Sequence, residues 1–68
     1  MKSVEEIIKE NRLSIIECCI LFELDKYYPK FESVYIIDMK MSQIQHYLNR
    51  LIDKGLVERR FQKYRIVR

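Results

Sequence analysis

The sequence predicts a single domain that is mainly α with a small β-hairpin. Three observations carry that expectation. Ile44, Leu48, Leu51 and Ile52 recur at i, i+4, i+7 and i+8, the spacing of one helix face. Gly55, the chain's single glycine, follows the last of those turns, where a left-handed residue commonly ends a helix. Beyond it, Leu56-Val57 and Tyr64-Arg-Ile-Val67 are strand-prone segments on either side of a charged stretch, and they read as a hairpin.

Taken in order, Ser3-Val-Glu-Glu6 has the form of a capping box, and Val4, Ile7 and Ile8 supply a short apolar stripe behind it. Ser14-Ile-Ile-Glu17 is a second such box, which would break the chain at Asn11-Arg12. One continuous helix from Val4 to about Lys26 is the other possibility. The stretch Leu13 to Tyr28 is apolar almost all round, more than a helix of so small a domain can cover with its own core. The surplus points to a second copy of the chain docked through Ile15, Cys18, Leu21 and Phe22, a homodimer that would double the buried apolar area. In a monomer the N-terminal helix would have to cover it instead. Tyr27-Tyr28-Pro29 ends this helix, because proline cannot continue the ladder and disfavours helical geometry before it. Ser42 can cap the helix that carries the amphipathic face.

Charge is unevenly placed. The formal total is +3, yet Arg50 to Arg68 holds seven Lys/Arg against two Asp/Glu, whereas Met1 to Asn49 holds six against eight. A basic end on a mildly acidic body suits a polyanion docking at that end, and nucleic acid is the commonest candidate. The bland alternative is an Arg-rich edge hairpin whose charge discourages sheet-to-sheet aggregation.

The order of helix, glycine and basic hairpin resembles the recognition helix and wing of winged helix-turn-helix proteins. The match is to the MarR-like, ArsR-like and small archaeal or viral regulators, in which Leu-x-x-Leu-x-x-x-Gly-Leu-Val leads from helix to wing. Leu48, Leu51, Gly55, Leu56 and Val57 occupy those places, and the close match spans Ser42 to Val67. The resemblance implies N-terminal and dimerisation helices over 1–28, a helix-turn-helix over 31–54 and a wing over 56–68. Phe31 to Asp38 would then be the first helix of the pair, burying Phe31, Val34 and Ile37, although Val34-Tyr-Ile-Ile37 is itself β-prone. Met39 and Met41 would plug the gap between the helices.

With Ile44, Leu48, Leu51 and Ile52 inward, Ser42, Gln43, Gln45, His46, Asn49 and Arg50 lie on the outward arc as candidate DNA contacts. Gln and Asn can pair bidentately with adenine and Arg with guanine, so Gln43, Gln45, His46 and Asn49 are the candidate base readers, Arg50 serving base or phosphate. Tyr47, at the border of the stripe, is expected to pack on the wing. Arg59, Arg60, Lys63 and Arg65 are the candidate phosphate contacts, of which strand alternation lets two or three act together.

Other chemistry is poorly supported. Cys18 and Cys19 point about 100° apart on a helix, a poor chelating pair and an unfavourable disulfide, so burial is their expected use. There is no glycine-rich phosphate loop, no Cys-x-x-Cys and one His without an evident nucleophile. No enzyme, cofactor, metal or small-molecule ligand is expected. No apolar run is long enough for a bilayer and no signal peptide opens the chain, so the expected place is the cytoplasm. The expected function is sequence-specific binding of double-stranded DNA by a homodimeric regulator, a repressor acting by occupancy. A protein-binding adaptor and a non-specific DNA-coating protein are the alternatives.

Overall fold

Two serine caps divide the N-terminal third into two helices. A computed structural model describes residues 2–68; Met1, the first residue of segment 1–28, lies outside them. Ser3 opens α1 (Val4–Glu10), its side chain accepting the Glu6 N–H at 3.2 Å. Ser14 opens α2 (Ile15–Asp25) with a complete capping box: its Oγ accepts the Glu17 N–H at 3.2 Å, and the Glu17 carboxylate accepts the Ser14 N–H at 2.9 Å. Between them Asn11 is extended and donates its side-chain amide to the Ile7 carbonyl at 2.8 Å, which closes α1. The chain therefore has two helices here, not one.

α2 packs against α1, against α3 (Met41–Asp53) and against the second hairpin strand, and it is the centre of the core. Ile20, Leu21 and Leu24 are buried there with Val4 and Ile7 of α1 and Ile44, Leu48 and Leu51 of α3. Leu21 is 0% exposed, which removes it from the proposed dimer face. The surface left on α2 runs through Ile15, Cys19 and Phe22, with Cys18 half-buried beside it.

No helix forms over Phe31–Asp38. Glu32 pairs instead with Tyr64, each N–H donating to the other's carbonyl at 2.8 Å, and the backbone stays extended to a turn at Ile37-Asp38, with Asp38 at φ 68°. Both backbone groups of Glu32 are thus spent across the sheet, where a helix would need them within its own ladder. The run Val34 to Ile37, three β-branched residues and a tyrosine, suits that extended path. Val34 is buried as expected, but Phe31 is only half-buried and Ile37 is 75% exposed. Met39 packs at the core's edge, whereas Met41 is exposed.

α3 begins two residues earlier than a Ser42 cap would place it. Lys40 is the cap residue: its carbonyl accepts from Gln43 and Ile44, and its N–H donates to Gln43 Oε1 at 3.1 Å, so Ser42 lies inside the first turn. The far end closes as a Schellman motif, with Gly55 N–H on the Ile52 carbonyl (2.9 Å) and Leu56 N–H on that of Leu51 (3.0 Å). Gly55 sits at φ 75°. The hairpin follows as β1 (Val57–Arg60) and β2 (Lys63–Ile66), antiparallel, with Val57 opposite Ile66 and Arg60 opposite Lys63. Only Phe61 and Gln62 connect the strands.

Glu17 ties the two principal helices together. It is 0% exposed, and besides its capping bond it accepts from Lys54 Nζ at 3.2 Å, with Arg50 Nε 3.8 Å away. Lys54 also donates to the Arg12 carbonyl at 3.3 Å, so one ammonium joins the end of α3 to the linker before α2. Burial pushes the Glu17 carboxyl up, but the bonds from Ser14 and Lys54 together outweigh it and hold the carboxyl below its ordinary value. Its contribution to stability is complete above about pH 5 and drains as acid carries the solution through the lowered pKa. Acid unfolding of Glu17→Gln, followed by circular dichroism, is expected to show a flatter loss below about pH 4 than the parent. Gly55→Ala meets no atom within 4 Å, so its cost is conformational alone. Urea melts are expected to show a loss of about 1 kcal/mol, and less for Gly55→Asn.

Candidate nucleic-acid interface

The buried stripe of α3 fixes what its other side presents. Ser42, Gln43, His46, Asn49 and Arg50 are exposed, as the helical spacing required, and Asp53 joins them at the C-terminal end. Gln45 does not. It is half-buried on the flank facing the hairpin, where the Tyr64 hydroxyl donates to its Oε1 at 2.9 Å. Its Nε2 in turn donates to Asn49 Oδ1 at 3.0 Å. A relay thus runs from the hairpin to the outer face of α3 and leaves the Asn49 amide N–H groups directed outward as donors. Gln45 orients Asn49 rather than standing free itself. Tyr47, expected on the wing, lies about 200° round the helix from Gln45 and makes an edge-to-face contact with His46, ring centres 5.4 Å apart.

The basic residues of the C-terminal third divide into two groups. Strand register puts Val57, Arg59, Tyr64 and Ile66 on one face and Glu58, Arg60, Lys63 and Arg65 on the other. Arg65 is committed within the fold: it pairs with Glu58, donates to the Pro29 carbonyl at 3.1 Å and lies 4.3 Å from the centre of the Phe31 ring. Arg68 is likewise held by Asp25, the Lys2 carbonyl and the Tyr28 ring, and Lys54 by Glu17. Arg65 therefore leaves the group of candidate phosphate contacts. Arg59, Arg60 and Lys63 remain, all exposed at the hairpin's end. Arg59 Nε donates to the Phe61 carbonyl, and Arg60 rests 4.9 Å from the Phe31 ring centre.

α3 and the hairpin share one groove, on the flank of α3 that carries Gln45 and Met41. Met41 and Gln45 of α3, Arg59, Gln62, Lys63 and Tyr64 of the hairpin, and Ser33 and Val34 of the extended segment line one open groove. Its cations, Arg59 and Lys63, come from the hairpin, and α3 contributes Met41 and Gln45. Sequence reasoning missed the part played by segment 31–34, because the Glu32–Tyr64 pairing that positions it is non-local. It also missed the Tyr64–Gln45 bond. The available signal was that Tyr64 shares the inward face with Ile66, and an inward tyrosine hydroxyl requires a partner.

Elsewhere the chemistry is quiet. Burial, with Cys19 and Glu17 adding to it, pushes the Cys18 thiol up, away from the nucleophilic thiolate. Among the described residues no three His, Cys, Asp or Glu side chains gather where a metal could be held, and no helix is long and apolar enough to cross a membrane.

Tyr64→Phe removes one bond and leaves Gln45 Oε1 without its donor. A loss of about 1 kcal/mol is expected in urea melts, with the hairpin register intact by NMR. No family model matches this chain, and neither a curated protein nor a solved structure matches it significantly.

Proposed function

We propose that this chain is a sequence-specific double-stranded DNA-binding protein that regulates transcription, most simply as a homodimeric repressor acting by occupancy. The observation that carries the reading is that an exposed polar face of α3, Ser42, Gln43, His46, Asn49 and Arg50, stands on a helix packed against a hairpin whose end exposes Arg59, Arg60 and Lys63. Helix α3 would enter the major groove with His46, Asn49 and Arg50 toward base edges and Ser42 and Gln43 near the backbone. Arg59, Arg60 and Lys63 would hold phosphates. The winged helix-turn-helix resemblance supports the same docking from α3 through β2. It is weakest at residues 31–40, where an extended segment stands in place of the first helix of the pair. For the dimer, the free stripe of Ile15, Cys19 and Phe22 on α2 is the natural seam, Ile15 being 81% exposed.

A protein-binding adaptor is the second reading, favoured by the exposed apolar side chains of Tyr35, Ile37 and Met41 beside the start of α3. Fluorescence anisotropy on labelled duplex, titrated with salt, separates the two. DNA binding is expected to be tight at low salt and to fall steeply as salt rises. Arg59→Ala with Arg60→Ala should weaken binding to every sequence and reduce the salt slope by about 2 per bound protomer. Asn49→Ala should leave the slope unchanged and erode the preference between sequences by about 1–3 kcal/mol. Absence of duplex binding at low salt would remove the reading and leave the adaptor.

A further inference from the structure

The hairpin turn is built against the preference of its own backbone. Phe61 is the first of the two connecting residues and holds φ 57°, a position where two-residue turns favour glycine and where a bulky side chain is an outlier. Its ring is 88% exposed, the most of any large apolar side chain among the described residues, so packing offers no compensation for the conformation. Arg59, Arg60, Lys63 and Phe31 line the open hollow beside it. A turn selected for stability or solubility would carry Gly or Asn here; a bare aromatic ring ringed by cations answers to a partner that is both anionic and able to receive an apolar plane.

We propose that Phe61 is a wedge that enters the minor groove of duplex DNA and partly unstacks one base step, bending the duplex, while Arg59, Arg60 and Lys63 hold the flanking phosphates. The inference rests on the DNA-binding reading above and adds to it a role for the turn. Apolar wedges act in this way where cations line the two phosphate rails and the step is a flexible pyrimidine–purine one. The positive φ gives the wedge its aim: it forces a tight two-residue reversal, so the ring is presented at the extreme end of the hairpin instead of folding back on a strand. Phe31, stacked under Arg60 and Arg65, stiffens the base from which the tip projects.

The test uses the full chain and duplexes carrying donor and acceptor dyes at their ends, with 2-aminopurine at a central TA step or in a stiff A-tract. Phe61→Asn and Phe61→Gly are compared with the parent, since both suit positive φ, and thermal melts establish that they fold. Expected are a bend and a 2-aminopurine rise for the parent at the TA step, both lost in the two variants, with binding about tenfold weaker. Equal bending and affinity in parent and variants, with duplex binding retained, would overturn the wedge and leave the DNA reading standing. Binding to no duplex at low salt would overturn both. Phe61-dependent binding that is tighter on single strands than on duplex would overturn the wedge in favour of stacking on unpaired bases.

Discussion

Everything in this small fold hangs on how Glu17 is held. It is a fully buried carboxylate, and such a group is tolerable only when its lone pairs are occupied. Ser14 occupies them from the start of α2, Lys54 from the end of α3, and Lys54 also grips the carbonyl of Arg12 in the linker. One side chain therefore sets where α2 begins, how α3 lies against it and where the linker from α1 enters. The orientation of α3 decides which of its residues face outward, so the candidate interface inherits its geometry from a bond on the opposite side of the helix. Arg50 shows the link directly, being exposed yet within 3.8 Å of the same carboxylate.

What was legible in the sequence was local. The Ser14-Ile-Ile-Glu17 box, the apolar stripe of α3 and the glycine after it are each specified by residues within a few positions of one another, and each appears as read. Apart from the cap of α3, which Lys40 takes in place of Ser42, the failures are non-local. Phe31–Asp38 has apolar residues at helical spacing, but pairing of Glu32 with Tyr64, thirty-two positions away, overrides a weak local preference. Leu21 looked like surplus apolar surface because the contribution of the hairpin to covering α2 cannot be counted from periodicity; with β2 packed there, no surplus remains at that position. Gln45 looked outward by spacing and was turned to service by a tyrosine from another element.

The extended segment changes the architecture of the candidate site. A helix over 31–38 would have stood between α2 and α3 and packed its apolar face inward. The strand-like path instead carries Phe31 beneath Arg60 and Arg65, and lays Ser33 and Val34 along the groove that α3 and the hairpin flank. It leaves Tyr35 and Ile37 uncovered. The hairpin thus gains a third edge partner and a stacking base, which matters because an isolated two-stranded hairpin is marginal in water.

The distribution of partners among the arginines has a consequence for affinity. Formal charge makes the C-terminal third strongly basic, but Arg65, Arg68 and Lys54 already neutralise Glu58, Asp25 and Glu17. A phosphate would have to displace those carboxylates, all three in partly buried pairs, and would gain little by the exchange. The cations open to a polyanion at the hairpin are three, Arg59, Arg60 and Lys63. Three phosphate contacts correspond to a salt slope of about −2.7 and to weak binding at physiological ionic strength. Tight, selective occupancy of a DNA site therefore demands either a second copy of the chain, which doubles the contacts in a single binding event, or apolar contacts that salt does not screen. The uncovered stripe on α2 answers to the first requirement and the exposed ring of Phe61 to the second. Both features are unexplained by the needs of the fold alone.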